Sequence, residues 1–411
     1  MTIALVFHPH LVNEKTGSRK PEYALEEARR LAQTIDLKVP QQALVPLKKI
    51  HPATYIGSGK AEEIKAAVAE HKATLVIMDC ALSPTQQRNL EKAFNAKVID
   101  RTALILEIFG ARARTAEGKL QVELADMEYR KGRLVRAWTH LERQRGGFGF
   151  AGGPGETQIE LDRRMIRERI AKIKLELEKV KKTRALHRKS RDEVPFPVVA
   201  LVGYTNAGKS TLFNRLTRAK VLAEDKLFAT LDPTMRIITL PSGLKVMLSD
   251  TVGFISDLPT QLIAAFRATL EEVSQAALLL HIRDATAEDT EAQKEAVIEV
   301  LTGLGLEEKI THHTIEVLNK IDAAPEYHIP QGAIGISALT GEGCDTLLKQ
   351  IDLAFIADNE TLHLTLPADD HKRISWLYKN GRVVSAIADE EKLALTVTLT
   401  SKNKARWEKL S

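Results

Sequence analysis

Cysteine is nearly absent: Cys80 and Cys344 are the only two in 411 residues. Two thiols cannot build the cross-linked framework of a small secreted domain, and their scarcity fits a reducing compartment. Long apolar runs are missing as well. Runs such as Ala276–Leu280 fall far short of the ~20 residues that span a bilayer. The opening segment MTIALVFHPHLVNEK has no basic start, extended apolar stretch or small-residue cleavage site, so no signal peptide is expected. These absences exclude a membrane transporter and a disulfide-stapled secreted protein. A cytoplasmic protein is expected.

What is present is ordinary in bulk and uneven in distribution. Apolar residues make up 44% and charged residues 27%, the balance of a folded globular chain. The length exceeds the ~250–300 residues that one core serves, so two or three domains are expected. The net charge is +5, yet residues 101–195 hold 23 basic and 14 acidic side chains. The densest run, Lys181–Arg191 (KKTRALHRKSR), has six basic residues and no acid. Such a run is either a solvated helix face or a contact for phosphate backbone.

Residues 1–115 alternate short apolar strands (Ile3–Phe7, Leu44–Leu47, Thr74–Met78, Lys97–Ile99) with helical spacings (Tyr23–Thr34, Ala61–His71, Thr85–Phe94). This pattern predicts an α/β layer with a largely parallel sheet. Ser83-Pro84 reads as a helix start. Gly57-Ser-Gly59-Lys60 also reads as a helix start rather than a second phosphate loop, because no Ser or Thr follows the lysine.

Residues 116–194 carry two heptad-like seams: Leu120, Leu124, Met127, Leu134, Trp138 and Leu141, then Ile166, Ile170, Ile173, Leu177 and Val180. The spacing predicts an antiparallel helical hairpin whose first arm rises ~32 Å from Leu120 to Leu141 at 1.5 Å per residue. Thr157-x-x-Glu160 predicts a capping box opening the second helix. Between the seams, six of the ten residues Gly146–Gly155 are glycine. A plain connector does not need so many, and their entropy cost points to close approach of backbone to a partner. Pro195 and Pro197 mark a boundary, after which residues 195–358 repeat an α/β pattern. Residues 359–411 read as strand, helix, strand, strand, a small α+β domain.

The apolar strand Val198–Val202 runs into Gly203-Tyr-Thr-Asn-Ala-Gly208-Lys209-Ser210 and then a helix. This is the strand–GxxxxGK[ST]–helix phosphate loop. Backbone N–H groups and the helix dipole favour phosphate, Lys209 bridges the β- and γ-phosphates, and Ser210 offers a hydroxyl to Mg²⁺. Lys245–Ser249 is a strand ending in Asp250-Thr-Val-Gly253, where Asp250 suits Mg²⁺ and the Gly253 N–H can sense the γ-phosphate. Strand Ile315–Leu318 ends in Asn319-Lys320-Ile321-Asp322, and Ala333–Ile336 ends in Ser337-Ala338-Leu339. The Asp322 carboxylate can accept from guanine N1–H and its 2-amino group, which adenine lacks, and the Ala338 N–H can reach guanine O6. His281 has no ligand cluster around it and reads as structural. Spacing alone leaves Thr230 and Thr234 as candidates for a second Mg²⁺ hydroxyl.

The order of these motifs resembles the Ras-like GTPases, with Pro241-Ser-Gly243 as the turn of the one antiparallel pair that fold contains. Phe228-Ala-Thr230-Leu-Asp-Pro-Thr234, Asp250-Thr-Val-Gly-Phe254-Ile, Pro154-Gly-Glu-Thr157-Gln-Ile-Glu160-x-Asp162-Arg163-Arg164, Ile56-Gly-Ser-Gly59-Lys60 and Asp100-Arg-Thr-Ala-Leu-Ile-Leu further resemble the ribosome-associated HflX GTPases. The resemblance covers nearly the whole chain, least distinctively its last fifty residues. It implies Mg²⁺ at Ser210, Asp250 and Thr230, and a catalytic set of Lys209, Thr230 and Gly253. It implies nucleotide contacts from Gly203, Tyr204, Thr205, Asn206, Ala207, Gly208, Lys209, Ser210 and Thr211. Further contacts would come from Phe228, Ala229, Thr230, Leu231 and Asp232, from Asp250, Thr251, Val252 and Gly253, and from Asn319, Lys320, Ile321, Asp322, Ser337, Ala338 and Leu339.

The resemblance also implies a monomer that binds the large ribosomal subunit and its RNA and dissociates ribosomes. RNA contacts would come from Gly146, Gly147, Phe148, Gly149, Gly152, Gly153, Gly155, Arg163 and Arg164. Many relatives carry an arginine where this loop reads Phe150-Ala-Gly-Gly153, which leaves backbone contacts at the tip. Many Ras-like enzymes orient the attacking water with a glutamine directly after DxxG. Phe254 stands there and cannot, so slow intrinsic hydrolysis, stimulated by a partner, is expected. A tRNA-modifying GTPase is the alternative, but no cysteine follows Cys344 to serve its chemistry. A switch acting only through proteins fits the basic stretch poorly.

Overall fold

This computed structural model describes residues 2–12, 19–144, 154–189, 196–218, 227–228, 234–256, 272–357, 359–388, 392–400, 404 and 406–408. The first layer follows β1 (Ile3–Leu11), α1 (Pro21–Thr34), β2 (Lys38–Leu47), α2 (Ser58–His71), β3 (Leu75–Met78), α3 (Pro84–Phe94), β4 (Lys97–Asp100) and α4 (Arg101–Arg112). Its sheet runs β2-β1-β3-β4 and is parallel throughout. The Ser83 side chain and Gln86 form a reciprocal capping box, with Pro84 in the first turn of α3. α2 starts after an uncapped Gly57, so the Gly57–Lys60 segment is a helix start as expected.

Two long helices follow, α5 (Ala116–Gln144) and α6 (Pro154–Lys189). Their 29 and 36 residues correspond to about 43 and 54 Å of helix. They pack on each other, with Ile170, Ile173 and Leu177 of the predicted second seam buried and its end positions Ile166 and Val180 half-buried. Among the described side chains of α5 the buried apolar ones are Val122 and Ala125, while the predicted Leu120, Leu124 and Met127 are half-buried. The reason is that α5 contacts α4 as well as α6, so it carries two apolar lines. In addition, α6 begins at Pro154 rather than at Thr157, because a proline with its φ pre-set for helix is favoured in the first turn. The side chains of Leu134, Trp138 and Leu141, and all of 145–153, lie outside the described residues.

The second sheet is built from β5 (Val198–Gly203), β6 (Thr234–Thr239), β7 (Lys245–Asp250), β8 (Leu278–Asp284), β9 (Thr314–Asn319) and β10 (Ile334–Gly335). Their order is β10-β9-β8-β5-β7-β6, with β6 antiparallel to β7 and the rest parallel. Helices α7 (Lys209–Thr217), α8 (Thr290–Gly303), α9 (Glu307–His312) and α10 (Cys344–Ala357) accompany it. His281 lies inside β8, which runs on through Arg283-Asp284. β11 (Asn359–Pro367), α11 (His371–Asn380), β12 (Arg382–Ala388) and β13 (Lys392–Thr400) complete the chain as an antiparallel sheet of order β11-β13-β12.

One continuous core joins the first two layers. Ile105 and Phe109 of α4 belong to the same buried cluster as Tyr204, Phe228, Val252, Phe254 and Val297. No helix among the described residues is long and apolar enough to cross a membrane.

Candidate functional site

Three loops at the strand ends of the second sheet meet, and Asn319 ties them together. Its side-chain Nδ2 donates to the Ala207 carbonyl at 2.8 Å, and its Oδ1 accepts from the Ala338 N–H at 2.9 Å. Asn319 is buried, so both polar ends need these partners. The contact also explains a glycine. Gly208 has φ +90°, and a Cβ there would collide with the Asn319 amide nitrogen, so close approach and left-handed backbone both require it. Arg215 of α7, a residue the motifs did not single out, braces the same corner. Its guanidinium donates to the Ala338 carbonyl at 3.0 Å and to the Leu339 carbonyl. The Ala338 N–H expected to face a guanine O6 is engaged by Asn319 here.

On the phosphate side, Lys209 donates to the carbonyls of Gly203 and Tyr204 at 3.1 and 2.7 Å. Burial pushes its ammonium down to about 8, with Asp250 opposing the shift. Ser210 Oγ donates to Asp250 Oδ2 at 2.7 Å. A hydroxyl and a fully buried carboxylate in contact are hard oxygen donors of the kind Mg²⁺ takes alongside phosphate oxygens, so the residues present fit that ion. Gly253 closes this corner: a Cβ there would lie 2.8 Å from Thr205 Cα and 3.1 Å from Lys209 Nζ. Thr251 is anchored by its hydroxyl to the Leu201 carbonyl, and Val252 is buried in the core. Asp322 sits exposed on the 3-10 turn Ile321–Ala323, beside Lys320, which pairs with Asp284 at 2.7 Å.

Some expected site residues turn elsewhere. The Phe228 ring is buried 4.6 Å from that of Phe109, so it anchors its segment to α4. Phe254 is 1% exposed. Ala229, Thr230, Leu231 and Asp232 lie outside the described residues, as do Gly146, Gly147, Phe148, Gly149, Gly152 and Gly153. Gly155 lies in the first turn of α6. Arg163 is half-buried, and Arg164 is exposed with Glu168 at 3.6 Å.

The back of the phosphate loop carries a feature with no sequence signal. The Tyr204 hydroxyl donates to Glu27 and accepts from the Ser256 N–H at 2.8 Å. Arg101 donates to the Ser256 carbonyl at 2.9 Å, to Asp79 at 2.7 Å and to Glu27. Arg19 donates to the Tyr204 and Ser256 hydroxyls and pairs with Asp289 at 2.9 Å. Burial pushes the Glu27 carboxyl up, but Arg101 and Arg19 outweigh it and hold Glu27 below the usual glutamate range. Burial, and next the Glu27 carboxylate, push the Tyr204 phenol up, so it remains a donor. The Phe254–Ser256 stretch that follows Asp250–Gly253 is thereby held by the first layer at Ser256.

Four protein families match successive stretches of the chain. They are described as "GTP-binding GTPase N-terminal" (22–110), "GTP-binding GTPase Middle Region" (112–191), "50S ribosome-binding GTPase" (198–320) and "HflX C-terminal domain" (327–409). The GTPase HflX of Magnetococcus marinus is 52% identical over 381 residues, 91% of this chain and 88% of that protein. The GTPase HflX of Escherichia coli is 46% identical over 367 residues, 86% of this chain and 84% of that protein. Among solved structures, SsGBP in complex with GDP is 26% identical, with a TM-score of 0.48 over 86% of this chain and 98% of that one.

Proposed function

This chain belongs to the HflX family of GTPases, a GTP hydrolase, and on that premise we propose that it binds the large ribosomal subunit in its GTP state and splits ribosomes. The observation that carries the reading is the joining of the Gly203–Ser210, Asp250–Gly253, Asn319–Asp322 and Ser337–Leu339 loops into one site, in a chain that also extends a long two-helix arm through its most basic stretch. Lys209 would leave its carbonyl partners for the β- and γ-phosphates, and the Gly253 N–H would report the γ-phosphate. Ser210 and Asp250, with Thr230, would hold Mg²⁺. Such an ion, when bound, offsets charge building on the leaving diphosphate. Asp322 would select guanine, and the Leu339 N–H, next to the engaged Ala338, would take the O6 contact.

The hairpin would engage ribosomal RNA by phosphate contact and inserted backbone rather than by reading sequence. Gly146, Gly147, Phe148, Gly149, Gly152, Gly153 and Gly155 would approach RNA closely, and Arg163 and Arg164 would neutralise phosphate. Sucrose-gradient co-sedimentation tests this. With a non-hydrolysable GTP analogue the protein is expected to travel with large subunits and to shift intact ribosomes toward free subunits, and with GDP it is expected to stay at the top. Binding to tRNA alone, or indifference to the nucleotide, overturns the proposal. Added salt should weaken the complex steeply, as counterion release demands. Single-turnover hydrolysis should be slow for the isolated protein and faster with large subunits, because Phe254 offers no polar group to water.

A further inference from the structure

Thr205 is one of the nucleotide contacts that the resemblance implies, but its hydroxyl has no role in the site as described so far. Thr205 is 6% exposed, and its Oγ1 has no hydrogen-bond partner among the described residues. A buried hydroxyl left unpaired costs about 1–3 kcal/mol, and such exceptions mark strain or function. Two neighbouring hydroxyls are engaged: Ser210 with Asp250, and Thr251 with the Leu201 carbonyl.

Backbone hydrogen bonds and close packing hold Thr205 in place. Its N–H donates to the Phe254 carbonyl at 2.7 Å, and the Phe254 N–H donates back to Gly203 at 3.1 Å. Gly253 approaches so closely that a Cβ there would stand 2.8 Å from Thr205 Cα and Cγ2, and 3.1 Å from Lys209 Nζ. The Thr205 side chain, the Gly253 backbone and the Lys209 ammonium therefore form one cluster. On the proposed reading of the nucleotide site, on which this inference rests, the last two meet the γ-phosphate.

We propose that the Thr205 hydroxyl is a catalytic group of GTP hydrolysis, donating to a γ-phosphoryl oxygen and accepting from the attacking water. The water oxygen bonds to the γ-phosphorus as the bond to the β–γ bridging oxygen breaks. GDP leaves with that electron pair, and the water's proton departs with inorganic phosphate. Threonine gives up no proton; it orients the water and offsets developing charge. A neutral hydroxyl in this place supplies part of what a glutamine after Gly253 would supply.

The test uses the full-length protein with T205V, which keeps the shape and loses the hydroxyl, and T205S, which keeps the hydroxyl. Single-turnover hydrolysis is expected to fall by about 100-fold in T205V, the size of losing one transition-state donor, and to recover most of its rate in T205S. Affinity for fluorescent GDP is expected to stay within about 3-fold in both variants. GDP with aluminium fluoride, which mimics the planar phosphoryl group, should bind the parent and T205S but not T205V. Parent-like hydrolysis in T205V, or an equal loss in T205S, overturns the inference and leaves the nucleotide site intact. Failure of the parent to bind guanine nucleotide would sink both.

Discussion

At the residue scale, His281 shows how burial becomes a measurable property. It lies within β8 at 5% exposure, and burial pushes it from 6.5 down to about 4, with Glu316 opposing. Between those values the unfolded chain binds a proton that the folded chain refuses, so stability rises with pH across that window. The contribution is present in full above about pH 6.5, where both states are neutral. It is lost as pH falls toward 4, and amounts to roughly 3 kcal/mol. Urea unfolding of H281N is expected to show a flatter acid limb than the parent, and identical limbs would refute the assignment. Asp322 offers a second residue-level test. Asp322→Asn removes the acceptor for the guanine N1–H, so GDP affinity should fall on the order of 100-fold while xanthosine diphosphate gains. Equilibrium titration with the two nucleotides decides it, and unchanged preference argues that another group reads the base.

At the scale of the element, the hairpin separates packing from charge. Ile173 is fully buried in the α5–α6 seam, and Ile173→Ala should cost about 2–5 kcal/mol in chemical unfolding. Arg169 meets Glu123 across the same pair of helices with two hydrogen bonds at 2.6 and 2.8 Å. Both side chains are more than a third exposed, so a double-mutant cycle should return less than about 1 kcal/mol. A larger coupling would mean the pair is shielded by something bound to the arm. The α6 seam was legible in the chain because heptad spacing is a local property. The buried line of α5 was not, since Val122 and Ala125 owe their burial to α4, which no spacing within α5 announces.

At the scale of the whole molecule, the junction around Tyr204 connects the first layer to the phosphate loop. Glu27 and Tyr204 are 177 residues apart in sequence, and Arg101 and Ser256 are 155 apart. A buried, mutually satisfied network of this kind is non-additive. Glu27→Gln and Tyr204→Phe should therefore show a coupling of about 1–3 kcal/mol in unfolding experiments. Additivity within about 0.5 kcal/mol would mean the two layers are joined by apolar packing alone.

The phosphate loop, Asp250–Gly253, Asn319–Asp322 and Ser337–Leu339 were readable from the chain because each occupies a single strand end, where a handful of consecutive residues sets the backbone. The parallel layers were readable for the same reason: apolar runs alternate with helical spacing. Asn319 bridging two loops, Arg215 bracing Leu339, Phe228 turned onto Phe109, and the unpaired Thr205 hydroxyl were not readable. Each depends on which distant side chains arrive at one point, and that is a matter of shape and exclusion of water that exists only once the layers have packed.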